Sequence, residues 1–159
     1  MKKPRHPRLQ PWRRRLLQAA AAVPLLSLIR PAAATPEEMQ AAILDFTGGK
    51  VTQPGKVELG VAQLIDNGNA VPVTVRVQSP MSSEDHVTSI AIFNQRNPLP
   101  DVVRFNLSAR SGKAEVATRI RLATSQTLVA VAGLSDGSYW RHEVDVIVTL
   151  AACIEGEVS

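Results

Sequence analysis

The side chain best suited to covalent chemistry is Cys153, the single cysteine of this 159-residue sequence. It has no partner within the chain, so an intramolecular disulfide is excluded. A thiolate is a nucleophile and a metal ligand, and four readings are open. Cys153 could be a small buried hydrophobe, an exposed thiol that another protein modifies, one half of an intermolecular disulfide, or part of a metal site. Its surroundings favour exposure. An apolar run ends at Leu150, Ala151 and Ala152 are small, and Glu155-Gly156-Glu157 is polar. Glu155 and Glu157 raise rather than lower the pKa of a neighbouring thiol. The residue therefore suits a thiol acted on by others better than a catalyst with its own base.

The remaining candidates are weaker. Of three histidines, His86 follows Glu84-Asp85 and His142 precedes Glu143; with Cys153 they are the only set that suggests a metal or copper handler. Neither Cys-x-x-Cys nor His-x-x-x-His spacing occurs, so no metal is expected. Gly-x-Ser-x-Gly, the P-loop and Gly-x-Gly-x-x-Gly are absent, and no cofactor is expected. Asp101, Asp136 and Glu143 read as turn and surface charges. Arg119 and Arg121 alternate with Ile120 and Leu122, which is the pattern of a solvated strand face rather than an anion site. Trp140 beside Tyr139 is read as core or partly buried, with an interface anchor as the alternative.

Charge divides the chain. Residues 1–34 hold eight of the 18 Lys and Arg residues and none of the 14 acids. They combine a basic start, an apolar run from Leu16 to Ile29 and the small-residue site Ala32-Ala33-Ala34, the form of an export leader. Arg13-Arg14-Arg15-Leu16-Leu17 favours the twin-arginine route. The apolar run is too short and too rich in alanine for membrane insertion. The remainder carries 18 − 8 = 10 basic and 14 acidic residues, a net charge of 10 − 14 = −4. Such a chain is a poor nucleic-acid binder. Its expected compartment is the periplasm, where an unpaired thiol meets oxidising conditions.

The elements that must carry Cys153 follow from periodicity. Pro36 to Phe46 is the one helix: Thr35 caps it, Pro36 suits its first position, and Met39, Ala42, Ile43 and Phe46 share a face. Gly48-Gly49 ends it. It is expected to pack on an edge or end of the domain. The period then becomes two. Strands are expected at 56–62, 72–78, 87–93, 102–107, 116–122, 127–132 and 139–150, with a turn over Ile65–Ala70 centred on Asn67-Gly68 and a hairpin at Ser135–Ser138. Seven short, evenly spaced strands predict an all-β, immunoglobulin-like antiparallel sandwich with one short N-terminal helix. Each strand is expected to have one buried and one wet face. Free sheet edges invite a partner chain. The divisions are a leader over 1–34, a sandwich over 35–150 and a carboxy-terminal arm over 151–159.

Taken together, several stretches resemble the SoxY family, the sulfur-carrying subunit of the thiosulfate-oxidising Sox system. They are the leader, Asn67-Gly68-Asn69-Ala70-Val71-Pro72-Val73-Thr74-Val75, Ser79-Pro80-Met81, His86 to Asn94 with Asn97-Pro98, Ala117 to Ala123, and Ser135 to Trp140 leading to the terminal cysteine. The resemblance implies a non-enzymatic periplasmic carrier that pairs with a SoxZ-like subunit as a heterodimer. It implies transient contacts with SoxAX-, SoxB- and sulfane-dehydrogenase-like proteins. A disulfide-linked homodimer through Cys153 is a further expectation. Cys153 is the implied covalent attachment point, with Ala151, Ala152, Ile154 and Glu155 as its arm. The family's Gly-Gly-Cys-Gly-Gly reads here Ala151-Ala152-Cys153-Ile154-Glu155.

Overall fold

The computed structural model describes residues 34–152. The expected leader lies outside them except for Ala34, as do Cys153, Ile154, Glu155 and the rest of the terminal arm. Helix α1 spans Pro36–Thr47 and starts where its caps dictate. The Thr35 hydroxyl accepts the Glu38 amide at 3.2 Å, and the Thr35 amide donates to the Glu38 carboxylate at 2.9 Å. These reciprocal bonds satisfy two of the amides a helix start leaves free. Gly48, at φ 62°, closes the helix in the left-handed conformation that glycine adopts without penalty.

The strands are β1 Thr52–Pro54, β2 Val57–Gly60, β3 Leu64–Ile65, β4 Val71–Val77, β5 Val87–Asn94, β6 Asp101–Asn106, β7 Glu115–Ile120, β8 Gln126–Leu134 and β9 Tyr139–Val148. They form two sheets, β1-β9-β8-β5-β6 with β3 also on β9, and β2-β4-β7. The immunoglobulin-like sandwich is the observed fold. Alternation explains the smaller sheet: Val71, Val73, Val75 and Val77 are buried, while Pro72 and Arg76 are exposed. They meet Ile90, Ile92, Leu128, Ala130 and Ala132 across the core.

Two expectations are corrected. In β5 and β8 both faces are buried, not one. Helix α1 lies on the outer face of the larger sheet, not at an edge or end. Met39 and Ile43 pack there with Ala91, Phe93, Val129 and Val131. The reason lies in the strands themselves: Ile90-Ala91-Ile92-Phe93 and Leu128–Ala132 are continuous apolar runs that need cover on both sides. Met39 and Ile43 are 2% and 3% exposed, which stabilises the helix contact by about 1.5–3 kcal/mol per side chain. Phe46 adds edge-to-face contacts with Phe93 and Tyr139 at 5.8 and 5.9 Å.

Strands β1 and β3 are absent from the sequence expectation. Each pairs in parallel with β9, at Tyr139–Arg141 and at Ile147–Val148. They cover the outer edge of β9 and leave a gap in which the Leu59 amide donates to His142 Nδ1 at 3.0 Å. Edge covering of this kind blocks further pairing at β9. The turn over Ile65–Ala70 is also revised. Leu64-Ile65 is a strand, and Asn67-Gly68 does not link two adjacent strands; β2 and β4 pair only after the chain has gone out to β9 and back. Strand β9 ends at Val148 rather than Leu150.

Candidate functional site

The described residues stop one position before Cys153, so the site is built from what holds its base. Three segments converge there. The Thr149 amide donates to Ile65 O at 2.9 Å, and the Gly68 amide donates to Leu150 O at 2.8 Å. Leu122 donates to Gly68 O at 2.8 Å, and Leu122 O accepts the Ala152 amide at 3.0 Å. Ala151 is exposed, whereas Ala152 is buried. The second residue of the expected arm, Ala152, is therefore bonded into the sandwich.

Leu122 is itself held by a polar network behind it. Asn97 Nδ2 donates to Arg121 O at 2.7 Å, and its Oδ1 accepts the Ala123 amide and Gln126 Nε2, both at 3.0 Å. The buried Asn94 accepts the Asn97 amide at 2.9 Å. The Ala34 amide reaches Asn97 O at 2.8 Å, and the Val148 amide is met by Ser125 Oγ at 2.9 Å. Several of these bonds are partly shielded from water, so a group left without its partner there costs free energy. An Asn97→Ala chain loses three side-chain bonds on the β7–β8 loop. It is expected to be about 1–3 kcal/mol less stable in urea denaturation, with faster amide exchange at Leu122 and Ala123.

The other candidate residues are not drawn together. His86 precedes β5, which meets Leu134 of β8, while His142 lies opposite Ala130. Four residues of β8, roughly 13 Å, separate these positions. His86 Nδ1 is buried and has no hydrogen-bond partner among the described residues, and His142 Nδ1 is taken by Leu59. Among the described residues no three His, Cys, Asp or Glu side chains form a metal-sized group. Arg119 lies on the exposed face of β7; Arg121 falls beyond that strand and takes part through its carbonyl. Trp140 is partly buried against the core, donates to Ser138 Oγ at 3.0 Å and carries Lys56 Nζ 4.9 Å above its ring.

Asp101 bonds Arg104, Glu143 is exposed, and Asp136 accepts the hydroxyl and amide of Ser138 in the β8–β9 turn. Those two Ser138 bonds hold the Asp136 carboxyl below its ordinary range. A groove of about 530 Å³ beside β4 includes Asp66 and Arg76 as its charged lining residues and no nucleophile–base pair. Sequence reasoning missed Gly68, Leu122 and Asn97. Asn67-Gly68 was the available signal, but it reads as a turn rather than as a contact point. Among the described residues no helix is long and apolar enough to cross a membrane.

The family model of the sulfur oxidation protein SoxY matches residues 43–153. The solved sulfur carrier protein SoxY from Chlorobium limicola f thiosulfatophilum is 30% identical, with a TM-score of 0.60 over 73% of this chain and 100% of that one. Superoxide reductase (neelaredoxin) from Ignicoccus hospitalis is 12% identical, with a TM-score of 0.53 over 74% and 95% of the two chains. Superoxide reductase from Nanoarchaeum equitans is 10% identical at a TM-score of 0.51, over 60% of this chain and 100% of that one. At that identity the reductases share the fold alone. No curated protein sequence matches. With the family model spanning Ile43 to Cys153, and the sandwich matching the whole of a solved relative, the chain belongs to the SoxY family of sulfur oxidation proteins.

Proposed function

We propose that the protein is a periplasmic sulfur carrier, exported by the twin-arginine route, that holds thiosulfate-derived intermediates covalently on Cys153. The observation that carries this reading is the family match, which includes Cys153 as its last matched position. The base geometry supports it: the sandwich ends in a fixed, hydrogen-bonded residue directly before the thiol. A carrier gains from tethering because a bound intermediate meets successive enzymes at high effective concentration instead of diffusing away.

The Cys153 thiolate and thiosulfate join through a new S–S bond and lose two electrons to a SoxAX-like haem cytochrome. Water then cleaves the terminal S–S bond at a SoxB-like hydrolase, giving sulfate, two protons and a Cys153 persulfide. A sulfane-dehydrogenase-like enzyme takes six electrons from the outer sulfur, while three waters supply its oxygens and release six protons, leaving an S-sulfonate on Cys153. A second hydrolysis releases sulfate and restores the thiolate. No side chain of the carrier needs to act as acid or base, because each step is carried out by a partner enzyme. A SoxZ-like subunit is the proposed stable partner, and a disulfide-linked homodimer through Cys153 is the expected oxidised by-product.

Intact-mass measurement of the protein from cells supplied with thiosulfate tests the reading. The expected result is a ladder of S-thiosulfonate and persulfide adducts, mapped to Cys153 by peptide sequencing. A bare thiol throughout active thiosulfate oxidation overturns it.

A further inference from the structure

Strand β7 closes the smaller sheet on one side, and among the described residues no strand pairs with its outer edge. The other edges are obstructed. Strand β9 is covered by β1 and β3, and the Leu59 amide of β2 is turned to His142. Strand β6 carries an extra residue, Val102, where its register with β5 shifts. A bulge of that kind spoils further pairing. Strand β7 keeps a regular register with β4 along its whole length and contains no proline. Its free backbone groups follow from one bond. The Val77 amide donates to Ala114 O at 2.9 Å, which makes Val77 and Ala114 a hydrogen-bonded pair. By the same register Val116, Thr118 and Ile120 turn their backbone groups to β4. Alternation leaves the amides and carbonyls of Glu115, Ala117 and Arg119 facing the free edge. The side chains of these three are exposed, while Val116 and Thr118 are half-buried on the core side.

We propose that β7 is the surface through which two copies of this chain associate, pairing antiparallel about a two-fold axis at Ala117. Such an axis sets Ala117 against Ala117 of the second copy, Glu115 against its Arg119, and Arg119 against its Glu115. The three outward residues of each copy then exchange about six backbone hydrogen bonds. The charges are self-complementary. Arg119 belongs to none of the ion pairs among the described residues, and Glu115 lies 3.4 Å from Arg76. In the pair each Glu115 is flanked by two guanidinium groups, one from each copy. Val116 and Thr118 fall opposite each other on the core side, so their half-exposed surfaces leave water. The two smaller sheets become one continuous sheet. This pairing does not require Cys153 to be the attachment point.

Sedimentation of the Cys153→Ser chain is the test, because no disulfide can then link the copies. The chain is expected to be dimeric at about 0.1 mM and to dissociate on dilution, as a small interface does. Arg119→Glu, and separately Glu115→Arg, sets like charges opposite each other at both ends of the pairing. Each is expected to weaken association about tenfold or more. The two variants mixed in equal amounts are expected to associate more tightly than either alone, because a mixed pair again opposes unlike charges. Amide exchange needs no variant: Glu115, Ala117 and Arg119 are expected to exchange slowly in the dimer and rapidly on dilution. A chain that stays monomeric at about 0.1 mM overturns the proposal. So does a dimer in which those three amides exchange freely, or one whose strength the charge variants leave unchanged, since the copies then meet elsewhere. A mixture no tighter than either variant alone overturns the register about Ala117.

Discussion

A Cys153→Ser chain is expected to accumulate no sulfur adduct, and cells that carry it are expected to lose thiosulfate oxidation to the background level. The sequence leaves no substitute, because Cys153 is the only thiol. A serine hydroxyl is not deprotonated near neutral pH and cannot form the S–S bond on which every later step depends. The effect on folding is small. Sulfur to oxygen is a one-atom exchange that keeps the side-chain shape, so the variant is expected to melt within about 1 °C of the wild type. Intact mass after incubation with thiosulfate and the loading cytochrome is the direct measurement. Full thiosulfate oxidation in the Cys153→Ser strain sinks the carrier assignment. Loss of oxidation together with loss of soluble protein assigns the effect to stability instead.

Much of this frame is legible in the residues, and the failures have physical causes. Alternation exposes β4, since Val73, Val75 and Val77 can share only one face of a strand. Thr35, Pro36, Glu38 and Gly48 mark the ends of α1 because caps are local chemistry. The place of α1 is not local. It depends on which sheet face is left bare, and the clue is the unbroken apolar runs in β5 and β8. Strands β1 and β3, at three and two residues, are too short to show a period. Their parallel pairing with β9 joins residues far apart in sequence. Asn67-Gly68 illustrates the harder case. The pair has turn chemistry, and Asn67 Oδ1 does accept the Asn69 amide at 2.9 Å. Yet the glycine is required by Leu122 and Ala152, two segments that the sequence gives no reason to place beside it.

The same distinction bears on the arm. Ala151 and Ala152 stand where the family pattern has glycines, and from sequence they look like stiffer versions of a flexible hinge. In the structure Ala152 is buried and its amide is bonded to Leu122 O. An alanine there loses less conformational entropy on being fixed than a glycine does. The flexible glycine of this site is Gly68 in appearance only, for its part is to make room.

Phe93→Ala is the substitution expected to cost most stability. Phe93 is fully buried on β5, where it fills the seam between the larger sheet and α1. Truncation removes the whole phenyl ring from a site bounded by Met39, Ile43, Val129 and Val131, and rigid neighbours refill such a space poorly. Phe→Ala in comparable cores costs about 3–5 kcal/mol, a large share of the roughly 5–15 kcal/mol that holds a domain together. The edge-to-face contact with Phe46 at 5.8 Å is lost as well. Helix α1 then keeps its caps but loses the surface it sits on, so its amides exchange before those of β4 and β7. Leu44→Ala is the control on the same helix: Leu44 is 53% exposed, and its removal is expected to cost no more than about 0.5 kcal/mol. Urea denaturation followed by tryptophan fluorescence separates the two, because partly buried Trp140 reports on the sandwich core. Equal midpoints for Phe93→Ala and Leu44→Ala would mean that α1 contributes little to the fold, and that the outer face of β5 and β8 is covered in solution by something other than this helix.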